Sequence, residues 1–185
     1  MKRLMLSVAL ASGFTPTSAI APQLKTPPAS IQVIRATPTL LSFVQKSNPT
    51  LKPKEAERIA RLVEEVADEF DIEVPLFAAI VRQESHFKTD IKTCRKVEGR
   101  RTCDYGMAQV NSYWVDELEL DAKRLRSDDG YNLRVAARIL KDVLDRHPGQ
   151  LGYGFYNSAD SEMQAEYTGR VERYRKQVVL ALAKN

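Results

Sequence analysis

From Pro75 to Gln83 the chain reads Pro-Leu-Phe-Ala-Ala-Ile-Val-Arg-Gln, which as a helix is apolar on nearly every side. A surface helix carries one apolar stripe, whereas a helix apolar all round has to be enclosed by its own domain. Proline suits the first turn, where the missing N–H would have no intrahelical partner anyway. The segment therefore predicts a central, buried helix with the rest of the domain built around it. It closes on Glu84-Ser85. A lone acid at the end of a hydrophobic helix is the setting that raises a carboxyl pKa, and a carboxyl still protonated at neutral pH is a general acid.

Three other segments carry helical periodicity. Ile59, Leu62, Val63, Val66 and Phe70 share one face, with Glu64, Glu65, Asp68 and Glu69 mostly off it. Leu133, Ala136, Ala137, Leu140 and Leu144 predict a helix ending before Pro148, and Tyr167, Val171, Tyr174 and Val178 a C-terminal one. The strand signal is confined to Cys94–Cys103. Pairing Arg95 with Thr102, Lys96 with Arg101 and Val97 with Arg100 leaves Glu98-Gly99 as a two-residue turn with glycine in its second place, and sets the two cysteines opposite each other. The expected fold is mainly α with one small disulfide-closed hairpin.

Ahead of these elements, Lys2-Arg3, the apolar run Leu4 to Phe14 and Thr17-Ser18-Ala19 read as a secretory signal over residues 1–19. The run falls short of the roughly 20 apolar residues that span a bilayer, so no stable membrane insertion is expected after cleavage. Phe14 stands where a lipoprotein signal would carry its cysteine. Residues 20–53 hold six of the nine prolines and no acid, which predicts an extended linker. The alternative is a tail that docks on the domain through Ile31 to Ile34 and Leu40 to Val44. Residues 54–185 form the one domain. Export makes the Cys94–Cys103 disulfide the natural reading. His86 and His147 lie far apart and the cysteines lack zinc spacing, so neither metal nor cofactor is expected. Of 28 basic residues, Lys2 and Arg3 belong to the leader, and the 26 that remain face 24 acidic ones. That balance gives nucleic-acid binding no support and leaves a DNA-binding helix-turn-helix a distant reading.

Glu84-Ser85 closing a helix, Gly106-Met107-Ala108-Gln109 in a loop, Tyr156-Asn157 near a further helix start and Tyr167 in the last helix resemble, in order and spacing, the motifs of the lysozyme-like lytic transglycosylases of the soluble type. The resemblance spans Ala56 to Val179, and Asn132 opens a helix like the family's Asn-led one. It implies a lysozyme-like domain that cleaves the β-1,4 bond between N-acetylmuramic acid and N-acetylglucosamine in peptidoglycan. Glu84 would act first as acid and then as base, leaving 1,6-anhydro ends. It also implies that Ser85 and Tyr167 orient the glutamate, and that Gly106, Met107, Gln109, Tyr156 and Asn157 line the substrate site. Three places depart from the family. Met107-Ala108 replaces Leu-Met, Phe155 replaces a small residue, and Ser158-Ala159-Asp160 replaces Ala-Gly-Pro.

A two-carboxylate glycosidase needs a second acid, for which the candidates are Asp90, Asp104 and Asp160. Asp104 reads better as a residue bonding backbone amides in a turn. The lack of an obvious partner favours transglycosylation over hydrolysis. A hydrolytic muramidase of the same fold and a non-catalytic peptidoglycan-binding module stay open as alternatives. So does service as an accessory to a secretion system, pilus or phage. Cleavage of the leader should give a chain that starts near Ile20, which intact-mass measurement of the exported protein checks; a mass that still includes Met1 contradicts it.

Overall fold

The computed structural model describes residues 38–97, 99–149, 152–158 and 160–183. The signal and most of the linker lie outside these residues. The elements are α1 (Pro38–Ser47), α2 (Pro53–Glu69), α3 (Val74–Ser85), β1 (Lys92–Val97), β2 (Arg100–Tyr105), β3 (Val110–Asn111), α4 (Ser112–Glu117), α5 (Ala122–Ser127), α6 (Asp129–Arg146), a 3₁₀ turn (Gly152–Tyr156) and α7 (Ser161–Leu182). The mainly helical class follows the periodicity. As the run from Pro75 requires, Leu76 to Val81 of α3 are all buried, with α7 as the principal neighbour and α2 beside it. The stripe on α2 buries Ile59, Val63 and Val66, and that on α6 buries Leu133, Ala136, Ala137 and Leu140.

The linker expected through Pro53 stops earlier. From Pro38 the chain is helical, and α1 packs on α2 and α7 with Leu40 and Val44 fully enclosed and Phe43 nearly so. Leu40, Phe43 and Val44 are spaced to share one helix face, while the prolines only punctuate the segment. Pro38 opens the helix, and Pro49 and Pro53 fall beyond its end. Of the docking tail weighed above, the stretch Leu40 to Val44 therefore belongs to the core; Ile31 to Ile34 lie outside the described residues.

Aromatic contacts fix α1 to the exit of α3. The Phe43 and Phe87 rings meet edge to face at 6.0 Å. The Arg82 guanidinium lies 5.7 Å from the Phe43 centroid and 4.3 Å from that of Tyr174 on α7, within the range of cation–π attraction. After Ser85 the backbone turns sharply through two consecutive left-handed residues, His86 (φ 57°) and Phe87 (φ 59°). Such conformations cost a non-glycine residue about 1 kcal/mol or more each and persist where surrounding packing dictates them. Phe87 is fully buried, which supplies that packing.

β1 and β2 pair antiparallel in the expected register, Cys94 opposite Cys103 and Val97 opposite Arg100, and the two cysteines are bridged. The first turn residue lies outside the described residues; Gly99 takes φ 80°, which suits glycine. A third strand, too short to betray itself in the sequence, pairs Asn111 and Val110 with Asp104 and Tyr105. The outer part of the hairpin is exposed, while its root, with Val110 and Tyr105, packs on the helical core. There Arg95 and Asn111 both bond Asp104, the Asn111 amide at 2.6 Å. Closing a loop of nine residues' separation is worth ~2.7 kcal/mol in the chain-entropy model. Replacing Cys94 and Cys103 by serine should therefore raise amide exchange across 92–105 while the protection of α3 and α7 persists. Equal loss of protection in the helices would contradict this division.

Candidate active site

Glu84 occupies the last turn of α3, on a helix otherwise given over to the core. α7 crosses α3 so that Tyr167, itself fully buried, donates its hydroxyl hydrogen to Glu84 Oε1 at 2.8 Å. The two residues are 83 positions apart in the chain, so only the α3–α7 packing brings them together. Ser85 is buried beside the acid, and its Oγ accepts from the Lys88 N–H at 3.2 Å, tying down the turn that follows the helix. Burial and the nearby charges of Arg82 and Lys88 push the His86 imidazole pKa down. It is therefore neutral at pH 7.

The loop after β2 is held by Asn132 of α6. Its amide donates to the Tyr105 carbonyl at 2.8 Å and accepts from the Ala108 N–H at 2.7 Å, with the residue fully out of solvent. Gly106 sits in this clasp at φ 69°, and a Cβ there would come within 2.2 Å of the Leu125 carbonyl and 2.4 Å of the Asn132 amide. Both conformation and space require glycine. Gln109, left-handed at φ 50°, folds back so that its Nε2 donates to the Gly106 carbonyl at 2.8 Å. Its amide donor, read from the sequence as a substrate contact, is thus committed within the loop. Met107 corrects another expectation: it is fully buried in the core and supports the loop from beneath instead of lining a cleft.

Tyr156 joins this loop to the acid. Its hydroxyl donates to the Ala108 carbonyl at 3.1 Å. Burial, with the charges of Glu84 and Asp104 adding to it, holds the phenol well above its ordinary pKa, so it stays protonated. Tyr156 and the buried Asn157 end the 3₁₀ turn, whose Tyr153 hydroxyl donates to Glu172 of α7. Arg175 also holds Glu172, at 3.0 Å, and reaches Glu73 ahead of α3. The 3₁₀ turn and α7 are thereby tied to the start of α3, at the end of that helix away from Glu84.

Each candidate for a second carboxylate has other work. Asp90 is solvent-exposed and paired with Arg126 at 2.8 Å. Asp104 is held by Arg95 and Asn111. Asp160 caps α7 by accepting from the Met163 N–H at 2.9 Å. Among the described residues no group of three or more His, Cys, Asp or Glu is gathered to hold a metal ion. Asn132 is the site-building residue that the motifs place only as a helix opener. Its signal is visible, since it stands one turn before Ala136 on the apolar face of α6, where an amide must find buried partners.

A family model described as the transglycosylase SLT domain matches residues 61–177, from α2 to α7 and well over half of the chain. No curated protein matches the chain. The clasp around Gly106 yields a prediction independent of any chemistry. Asn132→Ala would leave the Ala108 N–H and the Tyr105 carbonyl buried and unpaired, at about 2–4 kcal/mol, and thermal unfolding should show a lowered midpoint. An unchanged midpoint would mean that water replaces the amide.

Proposed function

The chain belongs to the SLT transglycosylase domain family, and from that membership we propose that it is a lytic transglycosylase in which Glu84 is the sole acid–base. The family implies peptidoglycan as the substrate and transglycosylase activity in general. The observation that carries the finer reading is Glu84 on a rigid, buried helix with Tyr167 bonded to one carboxyl oxygen. That bond helps orient the carboxyl, and a general acid must be aimed before its pKa matters.

In the proposed reaction the protonated Glu84 carboxyl delivers its hydrogen to the oxygen linking N-acetylmuramic acid to N-acetylglucosamine. The bond from C1 to that oxygen breaks, and the leaving sugar departs with a new hydroxyl. Glu84, now a carboxylate, takes the hydrogen from the C6 hydroxyl of the muramic acid residue as O6 bonds to C1. The product is a 1,6-anhydro ring, Glu84 ends protonated as it began, and no water is consumed. The prior engagement of Asp90, Asp104 and Asp160 supports a mechanism without a second carboxylate. Ser85, Gly106, Gln109, Tyr156, Asn157 and Tyr167 are proposed as the shell that shapes the site. The leader-like start and the Cys94–Cys103 bridge support activity outside the cytoplasm. Service to a secretion system, pilus or phage is compatible with a small exported domain.

Glu84→Gln keeps the size of the side chain and an acceptor for Tyr167 but removes the transferable proton. Release of muropeptides from purified sacculi should fall by ~10² to 10⁴, with the unfolding midpoint little changed. Mass spectrometry of the wild-type digest should find anhydro ends. Near-normal lysis by the Gln variant would remove Glu84 from the mechanism, and reducing ends alone would make the enzyme a hydrolase.

A further inference from the structure

The hairpin carries charge that no acid among the described residues neutralises. Lys96 and Arg101 are directly opposite each other across β1 and β2, so both point to the same face, and both are exposed. Like charges in that register destabilise a strand pair. Lys92 shares the face, lying over the Tyr105 ring at 4.8 Å, and exposed Arg100 is the neighbour of Arg101 in the chain. Among the described residues no salt bridge joins Lys92, Lys96, Arg100 or Arg101 to an acid. Asp104 is taken by Arg95 and Asp90 by Arg126; Glu98 lies outside the described residues. The repulsive pair is nevertheless held shut by the disulfide two residues nearer the root.

We propose that Lys96 and Arg101, flanked by Lys92 and Arg100, form a clamp for carboxylates on the stem peptides of the glycan strand, so that the preferred substrate is peptide-bearing rather than bare glycan. This rests on peptidoglycan being the substrate and adds a specificity element outside the acid–base site. Two cations opposed across adjacent strands, about 5 Å apart at Cβ, bracket one carboxylate. The staple and the Arg95–Asp104 anchor hold them ready, which reduces the ordering cost of binding. The reach is also consistent. Arg101 is four strand residues from Tyr105, roughly 13 Å, a distance that an extended peptide of about four residues spans. The root of the strand adjoins the Gly106 loop, so the clamp stands one strand's length from that loop.

The test is retention of the full exported protein on intact sacculi and on immobilised glycan strands stripped of stem peptides by an amidase, at low and high salt. Wild type should prefer the peptide-bearing material. Lys96→Gln with Arg101→Gln should weaken that retention about three- to ten-fold at low salt, lose most of the difference at high salt, and leave binding to stripped glycan unchanged. Lys96→Glu should weaken retention further while keeping or raising the unfolding midpoint, because it gives Arg101 a partner. Equal loss on both materials would show a general polyanion surface, and no loss on either, or no wild-type preference, would show a merely solvated loop; each overturns the clamp. If wild type prefers intact sacculi yet releases no muropeptides from them, the clamp stands and the catalytic reading falls.

Discussion

A helix without a polar face has to be wrapped, and the enclosure of α3 is the condition on which the other elements depend. α7 lies along it, α2 beside it, and α1 reaches its exit through Phe43. At roughly 25 cal/mol per Å² of apolar surface removed from water, a fully covered helix contributes far more than the exposed ion pairs on α2 and α6. The residues that touch α3 are therefore the least free to change. The one acid on the helix inherits that immobility.

The same enclosure explains how distant parts of the chain meet at Glu84. Tyr167 is brought in by α7, Tyr156 by the 3₁₀ turn that α7 holds through Glu172, and the Gly106 loop by Asn132 of α6. Each contact is made by a side chain rooted in a packed element, with loops serving only as what is positioned. A constellation supported this way keeps its geometry within the narrow tolerance that proton transfer demands.

Much of this was legible in the sequence because it depends on local periodicity. The four long helices and the hairpin register follow from spacing within ten or twenty residues. Glu84, Gly106, Tyr156 and Tyr167 stand out because their order matches a family's motifs. What escaped is non-local or too short. α1 hides among prolines, which mark its borders and dilute its apolar spacing. β3 has two residues and exists only because Asp104 and Tyr105 are there to pair with. Met107 was misjudged for a related reason, since a motif names residues without saying which side of the loop they occupy. It lies in a loop clasped at the Ala108 N–H by Asn132 of α6, some two dozen residues further on.

The left-handed pair His86-Phe87 bears on time as well as shape. Helix ends ordinarily fray, opening and closing far faster than a glycosidic bond breaks, and an acid in the last turn would spend part of its life off target. Here the chain leaves α3 through a bend that unwinding would have to undo, and undoing it means withdrawing Phe87 from the core. Local opening at this terminus is thereby coupled to disruption of the interior. The last turn thus gains the persistence of a mid-helix turn, which the proton transfer proposed for Glu84 requires.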